Sequence, residues 1–269
     1  MGKYQLSQLF IYPIKSLGGI SVHTAEVTDR GFQYDRRWML VEETNKFLSQ
    51  RKVKEMSLLQ TKLREDSLIV FNKLNPEQII EIPLKPEINN FEQSIVWDDI
   101  VNVSVYESEV NEWFSEQLKM SCKLVYMPDE TKRKVEKEFA KNNQITSLSD
   151  GYPFLLIGQE SLDLLNSKLE TPLPINRFRP NLVFTGGEPH DEDKWKQFKI
   201  NDIIFKPVKP CARCIITTID QQTGEQSPEP LKTLSTYRSI GNKVMFGMNL
   251  LHEGNGTIKI GDTLEICSN

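Results

Sequence analysis

Polar and apolar residues alternate along much of the first hundred positions. Val101-Asn102-Val103-Ser104-Val105 is the clearest case, and a period of two marks a strand with one buried face. Leu6–Tyr12, Ile20–Thr28, Trp38–Glu42, Ser67–Phe71, Gln78–Ile82 and Ile100–Tyr106 are rich in β-branched and aromatic residues and read as strands. Turn residues punctuate them at Gly18-Gly19, Asp29-Arg30-Gly31 and Asn75-Pro76. The period then changes. Val110, Trp113, Phe114 and Leu118 recur at helical spacing after Ser108, a residue suited to capping. Cys122–Met127 returns to strand character. Asp129–Ser149, with Lys132, Arg133, Lys134, Glu136, Lys137 and Glu138, reads as a solvated connection.

A second patterned region begins near Tyr152. It predicts strands at Phe154–Ile157, Asn181–Thr185, Ile203–Val208, Cys214–Ile219, Val244–Met248 and Thr263–Cys267. Helices are predicted at Ser161–Leu169, where Leu162, Leu165 and Leu169 share a face, and at Pro230–Arg238. Many short strands and few helices predict a mostly β, α+β fold built on a barrel or sandwich. The expected division is an N-terminal region, 1–125, and a C-terminal region, 126–269.

Composition narrows the function classes. The 269 residues suffice for a sizeable core, with 38% hydrophobic and 26% charged residues, as in ordinary soluble proteins. A net charge of −4 gives no general attraction to nucleic acid or anionic membrane, so any anion site must be a local cluster of Lys and Arg. Apolar runs such as Phe154–Ile157 are too short to span a bilayer, and Met1–Leu6 has no signal-peptide pattern. The expectation is a cytoplasmic protein.

Of the four cysteines, only Cys211 and Cys214 are closely spaced. Half of a zinc site is one reading, but His23, His190 and His252 are scattered and supply no second tight pair. A redox dithiol is another, but the run Ile215-Ile216-Thr217-Thr218-Ile219 looks like a strand rather than the helix such motifs open. A pair set between two strands suits one thiolate aimed at a bound group, with Arg213 holding it charged. Cations also recur in Tyr12-Pro13-Ile14-Lys15-Ser16, Tyr34-Asp35-Arg36-Arg37-Trp38 and Asn176-Arg177-Phe178-Arg179-Pro180-Asn181. Brought together, these segments would form a pocket for a large anion, with Ser16 or Asn181 reading polar ring atoms.

These segments, with Glu192-Asp193-Lys194-Trp195, Cys211-Ala212-Arg213-Cys214 through Asp220, and Thr223-Gly224, resemble the MOSC-domain family, the molybdenum cofactor sulfurase C-terminal domain proteins. The chain looks most like the amidoxime-reducing component branch. The resemblance implies an N-terminal β-barrel-like domain and a β-barrel MOSC domain forming one cofactor cleft. It implies a molybdenum cofactor (molybdenum bound to molybdopterin), with Cys214 as the protein ligand to the metal. Implied cofactor contacts are Lys15, Ser16, Arg36, Asp150, Arg179, Asn181, Ala212, Arg213 and Asn249. Asp220 and Thr217 are expected to orient Cys214, and His190 is a candidate proton donor that also reads as a surface-loop residue. The implied activity is reduction of small N-hydroxylated compounds, with electrons from a separate reductase, flavodoxin, ferredoxin or cytochrome. Two other readings stay open: a pterin-free sulfur carrier with a persulfide on Cys214, and a protein that binds or delivers the cofactor.

Overall fold

The structure is a computed structural model and describes residues 4–85, 90–140 and 143–267. The first three residues, and positions 141 and 142 of the charged connection, lie outside these. The fold is mostly β, as the alternation predicts.

Nine strands form the largest sheet. Along its main path the order is Ile20–Val22, Gln5–Ile11, Leu182–Thr185, Phe154–Gly158, Lys243–Glu253, Ile203–Ala212, Phe198–Ile200 and Glu265–Ile266. Only Phe154–Gly158 and Leu182–Thr185 pair in parallel, and the helix Gln159–Asn166 makes the crossover. The opening strand Gln5–Ile11 is thus inserted into the sheet of the C-terminal region, in register with Leu182–Thr185. Thr24–Thr28 crosses likewise to pair with Gly256–Lys259. Aromatic rings fill this core. Phe205 stacks on Phe198 at 5.3 Å and meets Phe154 edge-on at 5.5 Å.

A second core belongs to the N-terminal region. Trp38–Val41, Lys123–Tyr126, Asp99–Val105 and Phe91–Val96 form one sheet, and Leu59–Leu63, Ser67–Asn72 and Asn75–Pro83 another. The helix Ser108–Leu118 packs Phe114 and Leu118 against Trp38, Leu40 and Leu124. Its cap position is Glu107 rather than Ser108, and it ends at Lys119 in the left-handed conformation, φ 53. Inside the charged connection, Arg133–Lys134 and Ile145–Thr146 pair as a short hairpin, so the segment is partly built into the fold. Among the described residues, no helix is long and apolar enough to cross a membrane.

Two local departures shape the site. The strand predicted at Ile203–Val208 runs on to Ala212, with register shifts after Pro207 and Pro210. Proline lacks a ladder donor, so the pairing slips and the strand bends there. The strand predicted at Cys214–Ile219 is instead a single turn of 3₁₀ helix, Ile215–Thr218. The hydroxyls of Thr217 and Thr218 donate back to the carbonyls of Cys214 and Ile215 at 2.9 and 2.6 Å, which favours a tight turn over an extended run.

Gly247 sits in the strand Lys243–Glu253 at φ +80, and a methyl there would lie 2.7 Å from Ile157 and 2.8 Å from the Leu156 carbonyl. Gly247→Ala is expected to destabilise the protein by about 2–4 kcal/mol, from the left-handed backbone plus the clash. Gly241→Ala, at φ +58 with nothing within 4 Å of the new methyl, should cost only about 1 kcal/mol. Urea unfolding midpoints check both. Equal shifts would mean that packing against Leu156 and Ile157 imposes no constraint.

Candidate functional site

The N- and C-terminal regions enclose an open cleft with an empty volume of about 850 Å³. Lys15, Ser16, Arg36, Asp150, Arg179, Asn181, Ala212, Arg213, Cys214 and Asn249 all line it. All ten site residues proposed from the sequence therefore meet at one place, although they come from distant segments.

Tyr12 lies behind two of the lining guanidiniums. Its side chain is buried, and the guanidiniums of Arg36 and Arg179 each lie 4.3 Å from its ring centroid. Its hydroxyl has no hydrogen-bond partner, and burial pushes it up to about 12. Arg36 is held by Asp35 at 2.6 Å and by the Asn181 side-chain oxygen at 3.0 Å. A second Arg36 nitrogen donates to the Arg179 carbonyl at 3.3 Å. Asp35 also accepts the Tyr12 backbone N–H at 2.8 Å. Arg179 donates to the Leu17 carbonyl at 2.7 Å.

Three lining residues, Ser16, Arg36 and Arg179, have φ of 69, 47 and 56. Each non-glycine residue held there costs on the order of 1 kcal/mol and persists because its surroundings leave no alternative. At Ser16 the restraint is visible. Gln50 is buried, donates to the Ser16 carbonyl at 2.7 Å, and exchanges amide hydrogen bonds with Gln221 at 3.1 and 3.0 Å.

Lys15 closes another side. Its ammonium donates to Asp150 at 2.6 Å and to the Leu148 carbonyl at 2.9 Å. Burial lowers it to about 8, although Asp150 favours its charged form. Burial raises the Asp150 carboxyl, but Lys15, helped by Arg51 and Arg36, overrides this and holds the group well below the usual carboxylate range. Burial also brings Arg179 down to about 10. Five cations, Lys15, Arg36, Arg51, Arg179 and Arg213, line the cleft against one carboxylate, Asp150. Such an excess of positive charge in a half-enclosed space suits an anion.

The thiols stand at the edge of this field. Cys211 is the penultimate residue of the bent strand, and Cys214 sits in extended conformation just before the 3₁₀ turn. Arg213 serves Cys211 rather than Cys214. Its guanidinium donates to the Cys211 sulfur at 2.9 Å and to the Phe178 carbonyl at 2.6 Å. Arg213 Nε is buried without a partner. Thr217 does restrain Cys214, through its carbonyl. Asp220 instead pairs with Arg177 at 3.3 Å, and Arg177 donates to the Thr217 carbonyl at 2.9 Å. Asp220 therefore braces the turn that carries Cys214 from behind.

His190 lies outside the cleft lining and is not a simple surface residue. It is half-buried beside Tyr237 and Phe246, and burial lowers it to about 4. In the acidic-Trp element, Glu192 is fully buried and accepts from Ser161 at 3.0 Å and from the Gly158 backbone at 3.2 Å, while Trp195 joins the first core. That element is architectural. Ser49 and Arg51 line the cleft without having been singled out, because Leu48-Ser49-Gln50-Arg51 matches no pattern with a chemical reading.

Among the described residues no cluster of three or more His, Cys, Asp or Glu side chains is arranged to hold a metal.

Comparison with known proteins identifies the family. The MOSC N-terminal beta barrel domain matches residues 3–121, and the MOSC domain matches residues 143–265. The mitochondrial amidoxime-reducing component 1 of Mus musculus is 33% identical over 96% of this chain and 80% of its own length. Its Homo sapiens counterpart is 31% identical, over 96% and 81%. A molybdenum cofactor sulfurase of Arabidopsis thaliana is 33% identical over 93% of this chain, which spans 33% of that larger protein. With both domains matched in order and relatives aligned over nearly its whole length, the chain belongs to the MOSC-domain family.

Proposed function

We propose that this protein is a molybdenum-cofactor-dependent reductase of N-hydroxylated compounds that receives electrons from a separate redox protein. The observation that carries this reading is the meeting of Cys214 with five cations on one cleft. The residues fit the group. A thiol beside a cationic wall suits a metal whose other ligands are anionic, and the unpartnered Arg213 Nε leaves a polar atom to be satisfied. The relatives named for amidoxime reduction support the choice of substrate class.

When bound, the molybdenum cofactor supplies the two-electron chemistry that takes oxygen from an N–O bond and releases it as water. The chain's own residues do the rest. Cys214 would hold the metal as a soft, electron-donating thiolate. Lys15, Arg36, Arg179 and Arg213 would neutralise the phosphate and the anionic ring system, with Ser16, Asn181, Ala212 and Asn249 beside them. Asp150 keeps Lys15 charged and oriented. The Arg177–Asp220 brace and Thr217 fix the turn that aims Cys214.

Protein made in a molybdenum-competent host is expected to carry near-stoichiometric molybdenum and to reduce benzamidoxime with a reduced dye as donor. Cys214→Ser should lower activity by roughly 100-fold or more, whereas Cys211→Ser should keep most of it. Full metal and full activity in Cys214→Ser would refute the assignment. A persulfide on Cys214 in metal-free protein would favour the sulfur carrier.

Lys15 also makes a pH prediction. It is charged below its pKa of about 8, so its help in holding an anion is complete below that pH and lost above it. Sulfate, whose own charge is constant in this range, should bind the cofactor-free protein about fivefold more weakly at pH 9 than at pH 7. Lys15→Met should remove most of that difference in calorimetric titrations.

A further inference from the structure

Arg51 differs from the other cleft cations: its field helps to keep Asp150 ionised, but it is hydrogen-bonded to nothing among the described residues. Lys15, Arg36, Arg179 and Arg213 each donate hydrogen bonds to carbonyls, carboxylates, an amide or a thiol. Among the described residues, Arg51 has no hydrogen bond and no ion pair, although it lines the cleft. Its backbone is nonetheless pinned. Neighbouring Gln50 is locked between the Ser16 carbonyl and Gln221.

The Arg51 guanidinium lies 4.6 Å from the ring centroid of Trp97. Trp97 occupies the turn between the strands Phe91–Val96 and Asp99–Val105, at φ 57, a conformation that hairpin turns normally give to glycine or asparagine. A tryptophan held there is a local strain of the kind found at functional sites. Its side of the hairpin is fixed. The ring packs on Phe47 at 5.0 Å, and its indole N–H donates to Asp150 at 3.3 Å. Yet Trp97 is 41% exposed, whereas Lys15, Ser16 and Asn181 below are buried. Trp97 thus sits at the exposed rim, with Arg51 half-buried between it and the cleft, and Lys15 more deeply placed.

We propose that Arg51 and Trp97 form a substrate-selecting rim, which favours planar N-hydroxylated substrates bearing a carboxylate away from the N–O group. This rests on the reductase reading for the reaction but not for the binding. The deep cations answer the charge of the cofactor, so the unpaired rim guanidinium is left for the substrate. The indole holds that guanidinium by cation–π contact and offers an exposed edge to an aromatic body. A guanidinium pairs two-pronged with a carboxylate and repels a cationic substituent.

The test compares benzamidoxime with 4-carboxybenzamidoxime in the molybdenum-loaded enzyme. The wild-type protein should prefer the carboxylated substrate by about tenfold in kcat/KM. Arg51→Gln should abolish that preference, and Arg51→Lys should keep part of it. The non-reducible 4-carbamoylbenzoate, titrated calorimetrically, should bind wild-type protein and bind Arg51→Gln about tenfold more weakly. No preference in the wild type, or one untouched by Arg51→Gln, overturns the proposal. So does a loss of molybdenum on Arg51→Gln, which would assign Arg51 to the cofactor. If neither amidoxime is reduced but 4-carbamoylbenzoate binds through Arg51, the reductase reading fails and the carboxylate-binding rim stands.

Discussion

The buried carboxylate of Asp35 is the tie on which the rest of the cleft depends. One oxygen accepts the backbone N–H of Tyr12, at the end of the inserted strand, and the other grips Arg36. Arg36 reaches on to Asn181 and the Arg179 carbonyl in the other region. Burial raises this carboxyl above the usual carboxylate range, and Arg36 and the Tyr12 amide offset only part of that rise. A charged carboxylate with both oxygens committed is costly to disturb, because losing one partner strands the other. It therefore sets the direction of the Arg36 guanidinium over the Tyr12 ring and, through Arg36, ties in Asn181 and the Arg179 backbone.

Around that tie the protein accumulates like charge that it does not itself neutralise. Carbonyls satisfy the donors of Arg179 and Arg213 but do not cancel their charges. Lys15 alone has a carboxylate inside the cleft. The depressed values of Lys15 and Arg179 both arise first from burial. Part of the folding free energy is thus spent holding a cationic surface ready, and an arriving anion recovers it without rearranging the side chains. The wall is a preorganised receptor rather than a flexible one.

Much of this was legible in the chain. Alternation marked strands with one buried face, such as Asp99–Val105, and apolar composition marked those buried on both faces, such as Phe154–Gly158, while the basic segments with adjoining prolines marked the cleft. The failures have identifiable causes. Ile215-Ile216-Thr217-Thr218 has strand composition, but two threonine hydroxyls closing onto backbone carbonyls outweighed it. The motif set Arg213 beside a thiolate without saying which cysteine it serves, and the fold turns its guanidinium toward Cys211. Arg51 and Trp97 carry no motif; only the hairpin turn and the Gln50 lock bring them together. The sheet pairing of Gln5–Ile11 with Leu182–Thr185 lies beyond any local pattern.

That inserted strand has a consequence for the order of assembly. Gln5 pairs with Thr185, and Gln50 with Gln221, a separation of 171 residues. Contacts so far apart close late, since the intervening chain must first give up its freedom. As the chain emerges from the ribosome, Gln5–Ile11 waits without its partner while the second core collapses on its own residues. The cationic wall takes shape only when the C-terminal strands arrive. Nascent chains consequently present scattered, solvated lysines and arginines rather than a finished anion trap, and the cleft opens for loading only on a protein that has completed its fold.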